Sequence, residues 1–196
     1  MPQPRKLKLL LASTVIGFED QLTQLCSILD RYGYHVLNSH IGSIPVHPGK
    51  SNLQNCVNAA KNCDLFLGFI RPWYGTGIIG ARSITHEEFR EAIKLQKPRW
   101  FLVHRDVTFA RQLLKPYMFK KRDRSRTAFK LKDNPVLDDL RAIDLYNDAV
   151  QLDVPLKKRT GHWVQEFYRM PEAMEYIESQ FSDIQRIRRI CAEMKK

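Results

Sequence analysis

No apolar run in this chain approaches the length needed to span a bilayer. Leu9-Leu10-Leu11 follows basic residues, but it is too short for the core of a secretory signal and leads straight into Ser13-Thr14. It reads as a first strand. Cysteine is scarce. Cys26, Cys56, Cys63 and Cys191 show neither paired metal spacing nor a disulfide framework, a usage that suits reduced thiols in a cytoplasm. Glycine is scarce too, and Gly75, Gly77 and Gly80 match no phosphate-binding fingerprint. There is no internal repeat and no RNA-binding signature. Acidic residues are the minority: 21 against 32 Lys and Arg, a net charge of +11. That balance favours anionic partners, whether nucleic acid, nucleotide or membrane surface.

What is present is an ordinary globular composition, 43% hydrophobic and 27% charged over 196 residues. A chain of this length can bury about 70% of its unfolded surface without staples. Strands are predicted over residues 6–12, 34–37, 64–70 and 99–104. The third is almost continuously apolar, as a strand covered on both faces should be. Helices are predicted over 18–32, from Ser51 as N-cap through Lys61, and from about Thr85 to Leu95. This alternation indicates an α/β domain with a parallel sheet. Ligands of such sheets bind beyond the carboxyl ends of the strands. Ser13, Thr14, Ser39, His40, Arg71 and Trp73 all fall there. After residue 108 the pattern predicts a basic, mainly helical extension, with helices over 109–117 and 136–147 and one long helix from Pro171 to the terminus. Its apolar stripe is Met174, Ile177, Phe181, Ile184, Ile187 and Cys191, opposed by Arg186, Arg188, Arg189, Lys195 and Lys196.

One acid stands out. On a helix beginning near Thr85, Glu88 lies between Ile84 and Ala92 and beside Phe89, on the face that should be buried. Glu87 and Glu91 fall on the other side, near Arg90 and Lys94. A carboxylate at the open end of a parallel sheet can stabilise, or attack, the sugar carbon of an N-glycosidic bond. Burial would raise its pKa and the helix N-terminus would lower it. The alternative is a structural salt bridge with Arg82, Arg90 or Arg71. His86, two residues earlier, is expected to face solvent.

Other groups carry similar pairs of readings. Trp73-Tyr74-Gly75 could set rings at a pocket rim for a base or nicotinamide, or could simply anchor its own loop. Ser13-Thr14 could offer hydroxyls and N–H groups to a ribose or phosphate, or cap the following helix. The run from Lys115 to Lys132 holds eight Lys or Arg, among them Lys120, Lys121, Arg122, Arg124 and Arg126, interleaved with Tyr117, Phe119 and Phe129. It could bind nucleic acid, meet an acidic partner or be a solvated insertion. The C-terminal helix packs on the domain or mediates self-association.

Several blocks in order resemble a known group. These are Leu10-Leu11-Ala12-Ser13-Thr14, Cys63-Asp64-Leu65-Phe66-Leu67-Gly68, Trp73-Tyr74-Gly75, and Ser83-Ile84-Thr85 followed by Glu88-Phe89 and Ala92. Over residues 6 to 105 the chain is similar to an uncharacterised bacterial family related to TIR domains, and to the catalytic-glutamate helix of nucleoside 2-deoxyribosyltransferases. Members of the former often begin multidomain proteins suspected of antiphage defence. The resemblance implies a flavodoxin-like (TIR-like) sheet flanked by helices and an N-glycosidase acting on NAD+ or a related nucleotide. Glu88 would be catalytic. Ser13, Asp64, Tyr74 and Ser83 match motif positions near the pocket, and Thr14, Arg71, Trp73 and Arg82 complete the expected ligand set. No metal and no cofactor are expected, with NAD+ as substrate. A homo-oligomer or a partner-activated form, without membrane contact, is expected. The deoxyribosyltransferase motif has glycine two residues after its glutamate. Here that residue is Arg90, a cation that would narrow the pocket or contact a phosphate, which favours a phosphorylated ligand. The alternative to an enzyme is a non-catalytic module binding a nucleotide signal, nucleic acid or a protein.

Overall fold

The computed structural model describes residues 5–75, 77–120 and 127–194. Five strands form one parallel sheet: β1 (Lys8–Ala12), β2 (His35–Leu37), β3 (Leu65–Ile70), β6 (Arg99–His104) and β7 (Val164–Phe167). A two-stranded antiparallel hairpin, β4 (Ile78–Ile79) and β5 (Arg82–Ser83), stands apart from it. The sheet order is β2-β1-β3-β6-β7, with every pair parallel. This is the flavodoxin-like order, in which the chain reverses direction across the sheet between β1 and β3.

Side-chain alternation divides the core in two. Leu9, Leu11, Leu65, Leu67, Phe69 and Leu102 face one layer, with α1 (Glu19–Arg31), α6 (Met170–Phe181) and α7 (Ile184–Glu193). Leu10, Ala12, Phe66, Ile70, Phe101 and Val103 face the other, with α2 (Asn52–Asn62), α3 (Ile84–Lys94), α4 (Arg105–Met118) and α5 (Arg141–Ala149). Period-two strands buried on both faces account for this three-layer arrangement.

One glycine sets the height of α3 over the sheet. A Cβ on Gly68 in β3 would lie 2.2 Å from Cζ of Phe89. The missing side chain admits the Phe89 ring, which stacks on Phe101 at 5.1 Å and meets Phe66 edge-on at 5.1 Å. Glu88 immediately precedes Phe89 on that helix.

The sequence expectation differs from the structure beyond β6. The C-terminal stripe is two helices, not one. Asp183 interrupts it and caps the second helix, its Oδ1 accepting from the Arg186 N–H at 2.9 Å. The helix expected over 136–147 begins at Arg141, because Asn134 and Asp139 hold a turn by accepting from the N–H groups of Val136, Leu137 and Arg141. The helix expected over 109–117 starts at Arg105, so a boundary at residue 108 falls inside α4. The chain past that point supplies β7, the edge strand of the sheet.

Candidate active site

A cavity of about 400 Å3 opens at the carboxyl ends of β1 and β3, the point where the topology switches. That is within the range of small-molecule sites, about 300–1,000 Å3. Three walls build it. The first is the loop after β1, Ser13 to Ile16. Arg71 holds this loop from beneath, donating to the carbonyls of Thr14, Ile16 and Gly17 at 3.0–3.1 Å and lying over the Phe18 ring. Thr14 Oγ1 donates to the Trp73 carbonyl at 2.6 Å, tying this loop to the one after β3.

The second wall is the loop after β2 with the start of α2: Ser39, Gly42, Ile44, Val46, Asn52, Asn55 and Cys56. Two buried asparagines fold it. Asn38 donates to the Leu11 carbonyl at 2.8 Å, and Asn55 accepts from the His47 N–H at 3.0 Å. Ser51 and Gln54 form the capping box that starts α2, whose first turn holds no acid.

The third wall comprises Tyr74, Gly75, Gly77 and the first turns of α3: Ser83, Ile84, Thr85 and Glu88. Ser83 is the N-cap of α3, its Oγ accepting from the His86 N–H at 3.2 Å. Gly75 adopts φ +92°, and a Cβ there would meet Thr14 Cγ2 at 2.3 Å, so glycine alone lets the two loops close on each other.

Glu88 is 5% exposed and borders the cavity. The three arginines weighed as its partners are all engaged elsewhere. Arg82 pairs with Glu87 at 3.3 Å and Arg90 with Asp148 at 2.8 Å, while Arg71 is bound to backbone carbonyls. Among the described residues Glu88 makes no ion pair, and the Cys56 thiol on the same cavity wall is the neighbour that favours its charged form. Burial pushes its carboxyl up to about 8, a rise only partly offset by that thiol. Burial and the adjacent Glu88 charge push the Cys56 thiol up to about 12, so it is a neutral donor rather than a nucleophile. No lysine or arginine is among the described lining residues.

Of the nine residues expected as catalytic or ligand-binding, five meet at this cavity: Ser13, Thr14, Tyr74, Ser83 and Glu88. The others do not. Asp64 sits at the opposite end of the sheet, gripped by both Arg5 contacts at 2.7–2.8 Å and by the Lys8 N–H at 2.9 Å. It closes the amino end of β3 against β1. Arg71 supports the site from below. Trp73 is 46% exposed on a neighbouring surface, and Arg82 belongs to the far side of α3. Arg90 is also turned to that far side, so it neither narrows the cavity nor reaches a ligand in it. Lys120 is exposed after α4, and Lys121, Arg122, Arg124 and Arg126 lie outside the described residues.

His86 is the largest departure from expectation. Rather than facing solvent, it is 2% exposed, with Nδ1 2.7 Å from the Tyr74 hydroxyl and Nε2 3.1 Å from Asp148 Oδ2. The hairpin and α5 cover a helix position that the 3.6-residue periodicity alone would leave open. Cys56 and Asp148 were also missed. The capping signal at Ser51 placed the start of α2, and thereby Cys56, near the carboxyl ends of the strands, but nothing local marks Asp148.

A family comparison matches residues 8–161. The chain belongs to the DUF4062 family, described as a domain of unknown function. The matched segment reaches beyond residue 105 to include α5 and Asp148. It carries the unknown-function description and no TIR or deoxyribosyltransferase identity. No curated protein matches the chain. Within this DUF4062 domain, no helix of the described residues is long and apolar enough to cross a membrane.

Proposed function

We propose that this DUF4062 domain is an N-glycosidase, with NAD+ or a related nucleotide as substrate and Glu88 as the key carboxyl. The observation that carries this reading is the placement of Glu88: buried, without an ion pair among the described residues, and bordering the cavity at the topological switch point. A buried glutamate without a paired cation is uncommon in a structural role. The likeness to TIR-like and deoxyribosyltransferase sequences supports the same chemistry, and a role as a prokaryotic immune or toxin effector.

With its pKa near 8, the carboxyl is mostly protonated at neutral pH while the cavity is empty. A ribosyl group bearing a cationic nicotinamide would change that, since a nearby positive charge favours the anion. The carboxylate then forms where the anomeric carbon becomes electron-poor, and can shield or attack it. The phosphates cannot rely on cationic side chains from the described lining. Backbone N–H groups at the N-terminus of α2, free of acids in its first turn, would receive them.

The test is incubation of purified protein with NAD+, nicotinamide mononucleotide and nucleosides, following release of the base, beside Glu88→Gln. Base release that disappears in Glu88→Gln is the expected result. Absence of turnover in every assembly state overturns the reading. ADP-ribose binding without turnover would assign the cavity to a nucleotide-sensing module instead.

A further inference from the structure

The same cavity is tied to α5 by a polar chain that is buried at Tyr74 and His86 and half-buried at Asp148. Asp148, in the last turns of α5, meets His86 Nε2 at 3.1 Å and Arg90 Nη1 at 2.8 Å. His86 Nδ1 meets the Tyr74 hydroxyl at 2.7 Å. The Ser83 N–H donates to that same hydroxyl oxygen at 3.1 Å. Three further contacts fix Tyr74: its N–H donates to Asp138 Oδ1 at 2.8 Å, the Arg141 guanidinium lies 5.1 Å from its ring centre, and the His86 ring meets it edge-on at 5.8 Å.

Donor counting orders the protons. An ionised carboxylate only accepts, so Asp148 takes its bond from Nε2–H. Burial would raise the Asp148 carboxyl, but the hydrogen bonds it accepts from His86 and Arg90 prevail and hold it below the ordinary range. In the tautomer that carries its proton on Nε2, His86 leaves Nδ1 to accept. The single phenolic proton of Tyr74 points to that nitrogen, and its oxygen accepts from Ser83. The hydroxyl is thus turned out of the cavity, and its donor is spent on the scaffold. Ser83 is in turn the cap of α3, one turn before Glu88.

We propose that Asp148 and His86 are positioning residues for the candidate reaction: they fix the Tyr74 hydroxyl and, through Ser83, the first turn of α3 that aims Glu88. This inference rests on the glycosidase reading for its kinetic consequence but not for its geometry. In Asp148→Asn the amide can donate to Nε2, which would move the imidazole proton to Nδ1 and reverse the bond to Tyr74. In Tyr74→Phe the cavity keeps its ring wall, while both Nδ1 and the Ser83 N–H lose their partner.

Nitrogen NMR of the histidine rings reads the first step, with His86 assigned from the signals missing in His86→Asn. Wild-type protein should show the proton on Nε2, and Asp148→Asn should shift it toward Nδ1. A wild-type Nδ1–H tautomer overturns the proposal. Kinetics read the second step. Asp148→Asn and Tyr74→Phe should each lower kcat roughly tenfold with little change in KM for NAD+, as lost transition-state alignment does. Asp148→Glu, which can still accept from Nε2–H, should recover part of it. Tyr74→Phe carries the kinetic test if Asp148→Asn does not fold. Unchanged kcat in the folded variants overturns the proposal. If wild-type protein turns over no substrate, the glycosidase reading falls separately. ADP-ribose affinity then decides: a loss of about tenfold in the same variants sustains the positioning role, and equal affinity overturns it.

Discussion

At the scale of single residues, Glu88 places a cost on the fold that should be visible without any substrate. Its ordinary value is 4.5 and its folded value about 8, so the native state holds a proton that the unfolded chain releases. The sign follows directly. The stability this group contributes is complete below pH 4.5 and is lost as pH rises through about 8, at up to ~1.4 kcal/mol per pH unit inside that window. Glu88→Gln removes the titration. Denaturant melts of the variant should therefore show a shallower loss of stability between pH 5 and 8, and a more stable protein at the alkaline end. Parallel curves for the two proteins would mean that the carboxyl is not desolvated. Glu88 was legible in the sequence because its conflict is local, an acid on the apolar stripe of its own helix. Asp64 was expected at the site only through the family resemblance, and its partner Arg5, 59 positions away, holds it at the end of the sheet opposite the cavity. His86 was misread because its partner Asp148 is 62 residues downstream.

At the scale of elements, the seat of α3 depends on two small residues. Gly68→Ala drives a methyl group into the Phe89 ring, whose edge-on and stacked neighbours leave it little room. Overpacking of this kind costs about 1–3 kcal/mol, and the shift should be read as a lower melting temperature together with weaker binding of the proposed nucleotide, since Glu88 moves with the helix. Ser83→Ala removes the N-cap and should cost about 0.5–2 kcal/mol. A change in ADP-ribose affinity without any loss of stability in either variant would contradict this account of α3. The helix itself could be read in advance, because its cap, its apolar spacing and its stop are all near in sequence. β7 could not. Val164–Phe167 is four residues long with one fully buried side chain, a pattern too short to distinguish from a loop until β6 supplies a partner. The break between α6 and α7 was hidden by a stripe that continues through it, and only the Asp183 cap marks it.

At the scale of the whole molecule, the family match ends at residue 161, yet the folded unit does not. The remaining chain contributes β7 to the sheet and, with α6 and α7, shares with α1 the cover over one face: Phe167, Ala173, Ile177, Phe181, Ile187 and Cys191 are all buried. Tyr34, fully buried at the start of β2, donates its hydroxyl to the Phe181 carbonyl at 2.9 Å. Phe181 also packs on Tyr34 and Trp100. Removing residues 162–196 would strip the outer edge of β6, uncover part of the layer that holds Leu65, Leu67 and Leu102, and orphan the Tyr34 hydroxyl. Burying a phenylalanine or isoleucine contributes about 1.5–3 kcal/mol, so losing Phe167, Ile177, Phe181 and Ile187 is comparable to the usual net stability of a domain, about 5–15 kcal/mol. A chain ending at residue 161 should accordingly be insoluble or bind a hydrophobic dye without a cooperative melt, even though it keeps the entire wall of the candidate site and the Asp148–His86–Tyr74 chain. A soluble, cooperatively melting fragment would instead make the last three elements a separate attachment, with β7 docking onto a sheet already complete without it.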